Sequence, residues 1–63
     1  MNLAMNIKSA RKRLGMSQEE LAKRIGTQQK AISGYETGVR SPRIDKIPKL
    51  ARVLKVSIDD LVK

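Results

Sequence analysis

Apolar residues in this 63-residue chain recur at helical spacing, and turn residues interrupt them at short intervals. Ile7, Ala10, Arg11 and Leu14 follow an i, i+3, i+4, i+7 spacing, which predicts a first helix from Asn6, a suitable N-cap, to Leu14. Gly15 is its left-handed stop, and Lys8, Lys12 and Arg13 lie off its apolar face. Ser17-Gln18-Glu19-Glu20 has the form of a capping box, with Ser17 bonding forward and Glu20 reaching back. It opens a second helix with the stripe Leu21, Ala22, Ile25, ended by Gly26. A third segment, Gln28 to Glu36, turns Ile32 and Tyr35 inward, with Gln28 and Glu36 toward the same side. Lys30, Ser33 and Gly34 face the opposite way, flanked by Gln29 and Ala31, and Thr37-Gly38 closes the segment.

Val39 to Pro42 reads as a loop carrying Arg40. In the fourth segment Ile44, Ile47, Leu50, Ala51 and Leu54 share a face. Pro48 would break a helix interior at about 3 kcal/mol but is harmless in a first turn. The expectation is therefore a loose or 3₁₀ turn over Ile44 to Lys46 and a regular helix from about Pro48 to Leu54. Ser57-Ile58-Asp59-Asp60 caps a last short helix, Ser57 to Val62, whose apolar residues are Ile58 and Leu61. No strand pattern, repeat, linker or second domain is visible. The fold class is all-α: a compact bundle of five short helices in one domain, residues 1–63.

Composition sharpens the picture. Lys and Arg number 14 against 6 Asp and Glu, a net charge of +8, with the basic residues scattered rather than run together. That excess suits a polyanion: DNA, RNA, an anionic membrane or an acidic protein. There is no Cys and no His, so disulfides, zinc fingers and His-based acid–base chemistry are excluded. No catalytic, metal or cofactor constellation is present, and the chain is not read as an enzyme. No apolar run approaches the roughly 18 residues of a membrane span, and the start of the chain lacks a signal-peptide pattern. A cytoplasmic protein, nucleoid-associated when bound, is the expectation. So small a chain buries only about 60% of its unfolded surface, which favours a regular helical fold.

The second and third segments carry the chemistry. Two short helices joined by a tight turn at Gly26 form a helix-turn-helix over about residues 17–36, whose second helix can enter a DNA major groove about 12 Å wide. Ile7-Lys8-Ser9-Ala10-Arg11, Gly15-Met16-Ser17-Gln18-Glu19-Glu20-Leu21-Ala22, Ile25-Gly26, Ile32-Ser33, Tyr35-Glu36 and Gly38 resemble the Cro/repressor (XRE-like) helix-turn-helix family. The continuation through Ser41-Pro42, Leu50-Ala51, Leu54 and Val56 to Leu61 is similar too, so the resemblance covers nearly the whole chain.

The resemblance implies a lambda repressor-like bundle that binds operator DNA, normally as a homodimer on a palindrome. Ser17 and Gln18, at the start of the second helix, match DNA-contacting positions, and Gln18 matches a glutamine that also braces the recognition helix. Gln28, Gln29 and Lys30 match the amino-terminal turn of the recognition helix, with Gln29 in the slot that most often reads a base. Ser33 and Gly34 match its second outward turn, and Arg40 and Arg43 match a loop along the phosphate backbone. Arg11 and Glu36 match a structural ion pair; both lie on inward faces, and a buried charge wants a partner. Ile58, Leu61 and Val62 are the candidate dimer seam. The chain departs from the pattern at three points. Gln28 stands where the family often has a Ser or Thr cap, with Thr27 the alternative. Gly34 replaces a long polar residue and either allows close approach to a thymine methyl or sugar or leaves that position unread. Pro48 is the third.

Plainer readings stand beside these. Lys8, Lys12 and Arg13 are either solubilising charge or backbone contacts. Lys46, Lys49, Arg52 and Lys55 read as a solvated face. Asp59 and Asp60 suit a helix amino terminus rather than a metal or catalytic pair. Met1, Met5 and Met16 read as core or edge filler, and Tyr35 as a core residue with its hydroxyl at the surface. The leading function is a sequence-specific double-stranded DNA-binding regulator, a repressor, with no cofactor and no small-molecule site. The alternative is a protein-interaction module of the same fold, an antitoxin-type or antirepressor-type partner, though 63 residues leave no room for a toxin-binding extension. A membrane-surface peptide is disfavoured, because capped helices with turn glycines suit a globule.

Overall fold

In the computed structural model, which describes residues 2–63, the apolar faces of successive helices meet around one core. Met1 lies outside the described residues. The elements are α1 (Leu3–Arg13), α2 (Gln18–Ile25), α3 (Gln29–Thr37), a 3₁₀ turn (Ile44–Lys46), α4 (Ile47–Leu54) and α5 (Ile58–Val62). The chain belongs to the all-α class, with five α-helices and no strand among the described residues. Ile7, Leu21, Ile32, Leu50, Leu54 and Leu61 are the largest fully buried side chains. Each contributes about 1.5–3 kcal/mol from burial. They come from all five helices, so no helix is stable apart from the others. The shortest helices hold only because their apolar faces are covered.

Local chemistry sets most boundaries. Ser17 Oγ accepts from the Glu20 amide at 3.0 Å, and Ser57 Oγ accepts from the Asp60 amide at 3.0 Å, opening α2 and α5. Between α2 and α3 the backbone must reverse at once. Gly26 does this in the left-handed region (φ 76°), which costs a residue without Cβ nothing. Pro48 falls in the first turn of α4, directly after the 3₁₀ turn, where it breaks no hydrogen bond.

Several expectations are corrected. The first helix begins at Leu3, with Asn2 at its cap position, rather than at Asn6. Asn6 lies inside α1 and donates from Nδ2 to the carbonyls of Leu61 (2.9 Å) and Asp60 (3.3 Å), closing the carboxyl end of α5. Leu3 explains the earlier start, since it packs at the edge of the core and extends the apolar face by one turn. Leu14 and Ile44, assigned to inward faces, are exposed: Leu14 sits on the turn after α1, and Ile44 opens the expected 3₁₀ turn outside the core. Glu20 does not complete the capping box; its carboxylate accepts from Arg24 at 3.0 Å, one turn along α2. The third helix begins at Gln29. Gln28 occupies the cap position in extended backbone, and no side chain caps the helix. Lys55 is exposed, as its place on a solvated face requires, and it also ends α4 in the left-handed region (φ 59°), where helices more often place glycine. Met16 is buried, whereas Met5 is exposed.

Candidate nucleic-acid interface

Of the residues singled out in the sequence, Gln28, Lys30, Ser33, Gly34, Arg40 and Arg43 gather in hollows beside α3 and the loop that follows it, whereas Ser17, Gln18 and Gln29 border neither. α2 packs on α3 across the Gly26 turn, and α1 packs behind α3, so the inner face of α3 is held while its outer face stays open. Ile32 and Tyr35, with Ala31, are the buried residues of that inner face. Gln28, Gln29 and Lys30 are exposed; Ser33 and Gly34 are half-buried.

Behind this surface lies a polar network. Arg11 Nε donates to Glu36 Oε2 at 2.6 Å and Arg11 Nη2 donates to Glu36 Oε1 at 3.1 Å, a two-pronged pairing. Arg11 Nη1 donates to the Met16 carbonyl at 2.7 Å. The two side chains are 10% and 3% exposed, so this is an interior ion pair. Gln18 Nε2 donates to the same Glu36 Oε1 at 3.1 Å, and Gln18 Oε1 accepts from Gln29 Nε2 at 3.4 Å. A continuous chain of hydrogen bonds thus runs from the α1–α3 ion pair to the first residue of α3. Burial by itself raises the Glu36 carboxyl; hydrogen bonds from Arg11 and Gln18, with the positive charges of Arg11 and Lys8, outweigh it and hold that carboxyl below its ordinary range. The Glu36 hydrogen bond and charge keep Arg11 protonated more firmly still, against the opposing effect of its burial.

Around this anchor the outer surface is basic and concave. Gln28, Lys30, Ser33, Gly34 and Arg40 border one hollow of about 610 Å³ between α3 and the loop. Gln28, Arg40, Arg43 and Lys46 border a second, of about 360 Å³. Arg40 is shared by both. Arg43 also reaches Asp45 at 3.6 Å, but both side chains are largely exposed and the pairing is weak. The first turn of α3 carries no acidic residue. Ser17 stands apart from the hollows, its hydroxyl engaged in capping α2.

Lys46, which the sequence places on a solvated face, borders this surface. The loop after α3 folds back, with the Arg40 amide donating to the Gly34 carbonyl at 3.1 Å, and this brings the 3₁₀ turn beside α3. Helical periodicity carries no signal of such a return. Leu61 is corrected in the other direction: it is 1% exposed in the core and offers no surface to a second molecule. Of the three seam candidates, Ile58 and Val62 remain outside the core. They join Leu3, Pro42, Ile44 and Ile47 in an apolar hollow of about 490 Å³. No group of Cys, His, Asp or Glu able to hold a metal occurs among the described residues, and no helix there is long and apolar enough to cross a membrane.

A helix packed on its inner face and presenting amides and a lysine outward, next to a short helix reached through a glycine turn, defines a helix-turn-helix unit. The chain matches the helix-turn-helix family HTH_3 over residues 7–61 and belongs to it, as a regulator of the Cro/repressor type and not an enzyme. It is 40% identical over 55 residues to an uncharacterized HTH-type transcriptional regulator of Archaeoglobus fulgidus, covering 87% of this chain and 78% of that one. Among solved structures it is similar to the P22 c2 repressor in complex with a synthetic operator (TM-score 0.90, 30% identity, 97% and 92% of the two chains). It is also similar to SinR, a master regulator for biofilm formation, in complex with DNA (TM-score 0.88, 32% identity, 97% and 98%).

Proposed function

We propose that this protein binds double-stranded operator DNA by inserting α3 into the major groove, as two copies on a palindromic site, and that it represses transcription there. The observation that carries the reading is the brace on Gln29. An exposed glutamine held through Gln18 to a buried ion pair is preorganised, so less side-chain freedom is lost on binding. Gln29 pairs with adenine N6 and N7, and Lys30 reaches guanine O6 or N7. Arg43 and Lys46 neutralise phosphates and release counterions, setting register and much of the affinity.

The second copy docks on the hollow around Ile44, Ile47, Ile58 and Val62. That face shares Ser41 and Pro42 with the margin of the DNA-facing loop, so it adjoins the DNA surface. A molecule of 24 × 23 × 19 Å is of the right size to sit beside its copy on half-sites one turn, about 34 Å, apart. A few aliphatic side chains fall short of the roughly 1,200 Å² of a stable free interface, so pairing is coupled to DNA binding. Such a regulator works on the nucleoid, in the cytoplasm.

Selection from random duplexes, followed by titration of the winning site over a salt series, tests this. The expected result is a two-fold symmetric site, a 2:1 complex and a chain that is monomeric without DNA. Equal binding to every duplex refutes the function; a 1:1 complex on the selected site refutes the pairing.

A further inference from the structure

Gly34 sits on the outward second turn of α3, where a side chain would face the groove, and it has none. A Cβ built there would stand 2.7 Å from Arg40 Cδ, 2.8 Å from Arg40 Cγ and 3.2 Å from Arg40 Cβ. The arm of Arg40 therefore lies across the helix in the volume that a residue-34 side chain would fill. The loop fixes it there: the Arg40 amide donates to the Gly34 carbonyl at 3.1 Å, and Thr37 Oγ1 donates to the same carbonyl at 3.2 Å. No ion pair among the described residues includes the Arg40 guanidinium, and the side chain borders the hollow that also holds Lys30 and Ser33.

We infer that Arg40 is a specificity-determining residue that reads a guanine in place of residue 34, and that Gly34 is the gap that admits it. The inference rests on the DNA-binding reading above. A planar guanidinium carried over the outer face of α3 has the fork needed for guanine O6 and N7. Arg43 and Lys46 border only the hollow beside the helix, whereas Arg40 also borders the one on its outer face with Lys30 and Ser33. The glycine is otherwise unexplained, because it weakens a helix interior and here takes no left-handed conformation.

The test measures affinity of the full chain, by fluorescence anisotropy, for its selected duplex, for every single-base variant of it, and for an unrelated duplex. Arg40→Ala is expected to lose about 5- to 100-fold on the selected site, to lose discrimination at one guanine only, and to change little on the unrelated duplex. Arg40→Lys keeps the charge but not the fork and should fail at the same guanine. Gly34→Ala pushes the arm aside and should also flatten that one position; thermal melting checks that the variant folds, since alanine's better helix propensity opposes the cost of displacing the Arg40 arm. A loss with Arg40→Ala that is uniform across all duplexes, or an unchanged base preference, overturns the inference while leaving the proposed function standing. Preference retained in Gly34→Ala but lost in Arg40→Ala overturns the role of the glycine. A wild-type chain with no sequence preference overturns both readings.

Discussion

Arg11→Ala separates a fold role from a DNA role. The substitution removes the Arg11 bonds to both Glu36 oxygens and to the Met16 carbonyl, and leaves a carboxylate 3% exposed with Gln18 alone. Stripping one partner from an interior ion pair costs about 3–5 kcal/mol. A 63-residue chain is typically stable by about 3–9 kcal/mol, so the variant stands near the edge of folding. Its melting temperature should fall by about 15–30 °C. The pH dependence adds a second signature. In the wild type the folded Glu36 value lies below the unfolded value of about 4.3, so the stabilisation is complete above that pH and is lost as pH falls through the folded value. Without Arg11 its hydrogen bond and its charge are lost, and the folded Glu36 value rises from that of the wild type, which removes stabilisation present above the unfolded value. The stability gap between wild type and variant should therefore narrow in acid. Thermal melts followed by circular dichroism between about pH 4 and 8 measure this. Replacing both partners, as Arg11→Met with Glu36→Leu, should restore much of the loss. Wild-type melting combined with abolished operator binding would show Arg11 to be a DNA ligand and refute the argument.

Gln29→Ala should weaken binding to the selected operator by about 1–3 kcal/mol and leave unrelated duplexes almost unaffected; equal loss on both, in the same titrations, would remove its base-reading role. Asn6→Ala should destabilise the fold by about 1 kcal/mol through the Leu61 and Asp60 carbonyls, with faster amide hydrogen exchange in α5 as the readout. Lys55→Gly should raise the melting temperature by a few degrees: left-handed backbone costs a residue with Cβ about 1–2 kcal/mol, and glycine's own entropy cost offsets only part of that gain. A lowered melting temperature would contradict the strain at that position.

Helix existence, order and most ends were legible in the amino acids, because they follow from contacts within one or two turns. The Ser17 and Ser57 caps, the Gly26 reversal and the 3₁₀ approach to Pro48 all act over three or four residues, and each could be read before any coordinates. Local pattern misleads where partners are remote. Asn6 looked like a cap for its own helix, and its acceptors prove to be 54 and 55 residues away. Leu61 looked like a seam residue because an apolar side chain in a short terminal helix suits a core and an interface equally well; only its burial decides between them. Ile44 shares a face with Ile47, as its spacing suggests, but that face borders an exposed apolar hollow rather than the core.

What the chain determined by itself is therefore an all-helical regulator of the helix-turn-helix family with a polar third helix in a basic chain, since periodicity, capping and charge are local or additive properties. Tertiary structure alone decided which of those polar groups share a surface. The loop after α3 turns back across Gly34, brings Arg40, Arg43 and Lys46 alongside Gln28, and sends an apolar face outward between α5 and the 3₁₀ turn. The physical reason is that such placement depends on contacts between residues far apart in sequence, whose closure is set by how the whole core packs.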